Sequence, residues 1–136
     1  MIQYTFYNDP MPAPRPKAYS RGNRAGVYNP SQYMEYKAML ASELRRKFSH
    51  KFNVPAKGTK ERTKYIKNNR YALSVEFYRT KNVGDVDNYL KTVKDALEDA
   101  GILANDSQVD LAIVFKGIDK EWPRTVIMLQ GLSELL

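Results

Sequence analysis

Cysteine is absent from all 136 residues. That excludes disulfides, thiolate zinc sites and cysteine nucleophiles, and it fits a reducing cytoplasm. Histidine occurs once, at His50, so a histidine-built zinc site or catalytic triad lacks its partners. No apolar run approaches the roughly 18 residues of a membrane span, so no membrane partner is expected. The opening MIQYTFYNDPMPAPRP has neither a basic start nor an apolar core, so no secretory signal is expected. Neither a Walker loop nor a GxGxxG is present. What remains is ordinary globular composition, 43% hydrophobic and 27% charged, and the length suggests one domain over 1–136 with a substantial core.

Charge is unevenly placed. Residues 1–80 hold sixteen Lys/Arg against five Asp/Glu, and residues 81–136 hold six against ten. A basic half attracts a polyanion and speeds its encounter. The acidic half repels that polyanion unless cations sit in it. A soluble protein of high pI shows the same totals, but the partition suits a divalent metal held where a phosphate reacts.

The pattern along the chain reads β-α-β-α-β-β. Residues 2–7 alternate as a strand. Segment 9–30 contains five of the seven prolines, with Arg15, Lys17, Arg21 and Arg24 among its tyrosines. It reads as a long, ordered or partly mobile loop that meets a ligand. A helix is expected over about 31–49, N-capped by Asn29, with Tyr33, Tyr36, Met39 or Leu40, Leu44 and Phe48 on its core side and Arg45 and Arg46 at its C-terminal end. Residues 51–70 carry seven Lys/Arg, including Lys60, Arg62, Lys64, Lys67 and Arg70, against Glu61 alone. This is the densest basic run; it is expected to be the least ordered and to hold a phosphate backbone. Residues 71–79 alternate as a half-buried strand, 86–100 form a helix, and 109–115 and 125–129 form two more strands. The fold class is therefore α/β (α+β), a mixed sheet of about four strands with two main helices.

The stretch 84–108, GDVDNYLKTVKDALEDAGILANDSQ, carries the chemistry. Asp85 falls at the mouth of a strand and Asp87 in the first turn of the next helix, where negative charge is favoured. Lys91 lies four residues past Asp87, so the two share a face, and Asp95 follows one turn later. Val86, Leu90, Val93 and Leu97 recur at core-facing intervals. Gly101 ends the helix at its C′ position, and Asp106 follows with Gln108 behind it. Such a helix is roughly 22 Å long, so only a loop or strand could bring Asp106 back to Asp87. Three carboxylates could hold Mg²⁺ or Mn²⁺ through oxygen ligands, with Lys91 on the reacting phosphate and Asn88 and Gln108 orienting the acids. The same spacing equally suits an N-cap, a first-turn acid and a surface ion pair. An EF-hand is excluded, because Tyr89 and Leu90 stand where that loop needs an oxygen ligand and a glycine.

These residues resemble the RusA family of Holliday-junction resolvases, endonucleases common in prophages. The shared pattern is Asp85-x-Asp87-Asn88, Lys91, Asp95 with Leu97, Gly101, and Asp106-x-Gln108; PRPKAYSRG and the following Tyr-Asn-Pro are also similar to phage-type members. The resemblance implies a small α/β homodimer in the bacterial cytoplasm that cuts four-way DNA junctions with Mg²⁺ or Mn²⁺, in recombination and repair. It implies Asp85, Asp87 and Asp106 as metal-binding catalytic acids and Lys91 as essential, with Asp95 structural or behind the ligands. Many members carry an acid where this chain has Asn105. A non-catalytic DNA-binding module, or a nuclease for flaps or single strands, fits the same residues.

Overall fold

The computed structural model describes residues 1–14 and 31–136 in full and, between them, only the backbone of 17–21 and 24–28. The elements are β1 (Ile2–Phe6), β2 (Lys17–Arg21), β3 (Arg24–Tyr28), α1 (Ser31–Phe48), α2 (Lys60–Asn68), β4 (Tyr71–Arg79), α3 (Val86–Asp99), β5 (Val109–Ile118) and β6 (Arg124–Gly131). Short 3₁₀ turns cover Ser49–Lys51, Asp106–Gln108 and Leu132–Glu134.

One sheet runs β1-β6-β4-β5. β4 and β5 are parallel and joined by α3, whereas β6 is antiparallel to both β4 and β1. A parallel pair requires such a crossover, and the crossover here is the segment bearing the acids. The sheet is mixed and four-stranded, as expected.

Alternation sets its faces. Leu73, Val75 and Phe77 of β4, Ile127 and Leu129 of β6, and Ile2 and Phe6 of β1 are buried beneath the helices. α1 contributes Tyr36, Leu40 and Leu44, and α3 contributes Tyr89, Val93, Ala96 and Leu97. Each fully buried Leu stabilises by roughly 1.5–3 kcal/mol. Of the alternatives at 39 and 40, Leu40 is core and Met39 is 52% exposed. On α3, Val86 and Leu90 are only partly buried, and Tyr89 takes the deeper place.

Two segments differ from expectation. The proline-rich loop contains a hairpin, with Lys17 opposite Tyr28 and Arg21 opposite Arg24. The prolines lie outside its paired positions, at 10, 12, 14, 16 and 30, which leaves the ladder its donors. The basic run, expected to be the least ordered, instead contains α2. Thr59 is its N-cap, with Oγ1 accepting from the Arg62 N–H at 3.2 Å, and Glu61 favours its first turn. The expected Asn29 cap, and the side chains of Arg15, Lys17, Arg21 and Arg24, lie outside the described residues. Among the described residues, no helix is long and apolar enough to cross a membrane.

Candidate active site

Asp85 is delivered by a tightly held loop. Arg79, 3% exposed at the end of β4, donates to the Val83 carbonyl at 2.7 Å and to Asn82 Oδ1 at 3.0 Å. Its guanidinium lies 5.2 Å from the centre of the Tyr89 ring, whose hydroxyl donates to the same Val83 carbonyl at 2.7 Å. Gly84 has φ +80, and a Cβ there would stand 3.0 Å from Tyr89 Cε2 and 3.1 Å from Pro12 Cγ. Only glycine satisfies both the backbone and the space. Pro12 belongs to a strap along α3: the Ala13 N–H donates to Asn88 O at 2.8 Å, and Thr92 Oγ1 donates to Met11 O at 2.9 Å.

Beyond this loop Asp85 is the N-cap residue of α3, in extended conformation, yet its side chain makes no capping hydrogen bond. Asp87 follows in the first turn. Both carboxylates are exposed. Lys116 Nζ donates to Gly84 O at 3.1 Å, which brings a cation beside them. Lys91 shares a helix face with Asp87 and Asp95, and its Nζ lies 3.3 Å from Asp95 Oδ2. Tyr33 also donates to Asp95, at 3.5 Å. That phenol is pushed up to about 12, first by burial and then by the Asp95 charge.

The other end of α3 is closed by a Schellman motif. Gly101, at φ +76, donates to Glu98 O at 2.9 Å, and Ile102 donates to Leu97 O at 3.0 Å. Six residues past Ile102, Gln108 is wholly buried: its Oε1 accepts from the N–H of Ala104 at 2.7 Å and of Asn105 at 3.2 Å, and its Nε2 donates to Asn69 O at 2.9 Å. Asn105 caps the short turn, accepting from the Ser107 N–H at 2.9 Å. Asp106 is thus presented from a rigid loop, exposed, with its N–H donating to Glu98 Oε1.

Glu98 is the residue the sequence pattern missed. Burial pushes its carboxyl above the usual range, the Asp106 N–H opposes that, and the charges of Asp106, Asp95 and Asp99 add to it. A cleft of about 810 Å³ opens beside this end, with Arg45, Lys57 and Arg62 among its walls opposite Glu98 and Asp99.

Neither loop nor strand returns Asp106 to Asp85. β5 starts beside Tyr71, at the opposite end of β4 from Arg79, so the two acids are separated by the length of α3, roughly 20 Å. Among the described residues, no three Asp, Glu or His side chains gather where they could hold a metal ion. Carboxylates suit a hard divalent ion, but one chain places Asp85 and Asp87 at one end of α3 and Asp106 at the other.

The candidate phosphate contacts also separate. Arg62 donates to Pro55 O at 2.9 Å and Ala104 O at 2.5 Å, Arg70 pairs with Asp110 at 2.6 Å, Arg46 pairs with Glu43 at 2.8 Å, and Arg45 donates to Asp99 O. Through Ala104 and Ser107, Arg62 and Arg70 fasten α2 to the Asp106 loop. Lys60, Lys64 and Lys67 are exposed on α2, at positions that share a face.

The family model for endodeoxyribonuclease RusA matches residues 8–130, which include Asp85, Asp87 and Asp106. The chain belongs to the RusA endodeoxyribonuclease family. Membership implies endonuclease activity on four-way DNA junctions. A Bacillus subtilis (strain 168) relative with the name Uncharacterized protein YqaN is 29% identical over 140 residues, spanning 97% of each chain. The loop held by Arg79 and Gly84, which carries Asp85, and the turn held by Gln108, which carries Asp106, both fall within the residues matched to RusA.

Proposed function

We propose that the chain, acting over its whole described length as one endonuclease domain, is a metal-dependent junction resolvase serving DNA recombination and repair in the bacterial cytoplasm. In it Asp85, Asp87 and Asp106 hold Mg²⁺ or Mn²⁺, and Lys91 meets the reacting phosphate. The observation that carries this is Asp85 itself: a cap residue whose carboxylate leaves its own helix unserved and faces solvent beside a second acid. A bound divalent ion would supply an acidified water and neutralise charge on the scissile phosphate. Lys91 and Lys116 add positive charge at the same end of α3, and Gln108 fixes the approach of Asp106.

The division of the acids supports a homodimer. Two copies would complete each other's donor sets if a two-fold axis set the Asp106 end of one against the Asp85 end of the other. β5 is suited to this contact. It is one of the sheet's two edge strands, and its outer face exposes Leu111 at 41%, Ile113 at 63% and Phe115 at 52%. An exposed apolar edge strand offers a second copy both apolar area to bury and unpaired backbone groups to pair with. A two-fold there runs one β5 antiparallel to the other, which turns the Asp106 end of one toward the partner's Asp85 end. Lys60, Lys64 and Lys67, on the exposed face of α2 away from the Asp106 loop, would hold phosphates without reading sequence.

The test is a panel of labelled four-way junction, flap, duplex and single strand, each with Mg²⁺, Mn²⁺ or EDTA. Paired nicks in the junction that vanish in EDTA are expected. Binding without cutting of any substrate would indicate a DNA-binding module, and preferential cutting of flaps would move the activity away from junctions.

A further inference from the structure

Trp122 is the single tryptophan of the chain, and it is 68% exposed. Tyr7 is 64% exposed. Their rings meet edge to face, with centroids 6.4 Å apart at 89°, over a shallow depression shared with Glu121 and Pro123. Two large rings left in water beside each other mark a contact surface more often than idle polarity.

The pair is built rather than accidental. Phe6 of β1 lies opposite Thr125 of β6, so Tyr7 follows the end of one strand as Trp122 precedes the start of its neighbour. The turn between β5 and β6 is knotted by Asp119, whose carboxylate accepts from the N–H of Trp122 at 3.1 Å, the N–H of Glu121 at 3.2 Å and Arg124 Nη1 at 3.0 Å. Arg124 also donates to Trp122 O at 2.8 Å, and its guanidinium lies 4.0 Å from the centre of the Tyr78 ring. The Asp119 N–H donates to Arg79 O at 2.9 Å. Arg79 is the residue that pins the Asp85 loop, so rings and acid share one frame at one end of the sheet. The pair sits at the β1–β6 side of that end and the Asp85 loop leaves from β4, one to two strands away, so at about 4.8 Å per strand they are roughly 5–10 Å apart across the sheet.

The chemistry of the depression selects its ligand. Glu121 beside the rings disfavours a phosphate, and none of the described residues lining it offers the paired donors that read a base edge. A neutral π-face suits it, because aromatic rings stack on any base. Duplex DNA presents no free base face, but a branch point does, where bases lose a stacking neighbour. We propose that Tyr7 and Trp122 form a stacking site for an unstacked nucleobase at the branch point, and that this site contributes preference for branched over linear DNA. The inference rests on the junction-cutting reading of the chain.

The lone tryptophan makes the test direct. Protein in EDTA is titrated with a four-way junction and, separately, with linear duplex, following indole fluorescence and band shift together. Quenching that saturates with junction binding is expected, with little change on duplex. Trp122→Ala should bind the junction about tenfold more weakly, leave duplex affinity unchanged and keep its unfolding temperature, and Trp122→Phe should restore most of the loss. Unaltered fluorescence on a fully shifted junction, or equal junction affinity in Trp122→Ala, would overturn the stacking site while leaving the nuclease reading intact. Failure of the wild-type protein to bind any branched DNA would sink both.

Discussion

Arg79 Nη1 donates to the Val83 carbonyl at 2.7 Å, two residues before Asp85. A buried guanidinium spent on loop carbonyls is the physical reason an exposed carboxylate can hold a fixed place. Arg79→Met removes these bonds together with the ring contact to Tyr89. It should cost about 2–4 kcal/mol by urea denaturation. Junction cleavage should fall further than the unfolded fraction explains, because Asp85 loses its anchor.

Gly84→Ala attacks the same loop by another route. It must adopt φ +80 with its methyl 3.0 Å from the Tyr89 ring. A loss of about 1–3 kcal/mol is expected. Gly58, at φ +78 with nothing within 4 Å, is the control: alanine there carries the backbone strain without the clash, and cleavage should persist.

At the opposite end of α3, Gln108→Leu keeps the volume but strands the N–H groups of Ala104 and Asn105. Roughly 2–4 kcal/mol should be lost, with cleavage reduced through Asp106. The alternative, a Gln108 that only fills space, predicts an unchanged denaturation midpoint.

Asp119 provides the pH dependence. The Trp122 N–H, then Arg124 and the Glu121 N–H, hold its carboxyl below the usual range. A depressed folded value means that its contribution is present above the ordinary carboxylate value, 3.8, and is lost as pH falls through the lower folded one. Asp119→Ala should therefore lower the unfolding temperature near pH 7, and the gap from wild type should narrow below pH about 3.8. A gap that is constant down to pH 2 would contradict this.

Mixing experiments address the divided site. Asp85→Asn and Asp106→Asn are each expected to be inactive. Co-refolded together, they should recover nicking on the order of a quarter of wild type, the statistical share of intact sites if each site draws on both subunits. A site confined to one chain predicts no recovery.

The fold was legible where one periodicity governed a segment. β4 carries alternation over nine residues, and its bounds fall where the pattern places them. Gly101 announced the end of α3 because only a left-handed residue closes that motif. The hairpin at 17–28 was hidden because proline content masked the short proline-free spans that pair. α2 was hidden because charge density outweighed its Thr59 cap. For the candidate site, the sequence proposed the acids but not their relative placement. Spacing along α3 says nothing of whether β5 begins at the near or the far end of β4. Glu98 and Lys116 went unnoticed because each acts through a tertiary contact, one to the Asp106 N–H and one to Gly84 O, that no local pattern encodes.

The most direct test replaces one atom group. Asp85→Asn leaves the α3 backbone cap in place, because the wild-type side chain makes no capping bond. Cleavage of a labelled four-way junction in Mg²⁺ should be abolished, while junction binding in EDTA stays within about twofold of wild type, since phosphate contacts carry that affinity. Full cleavage by the purified variant would contradict the assignment of the metal-binding acids.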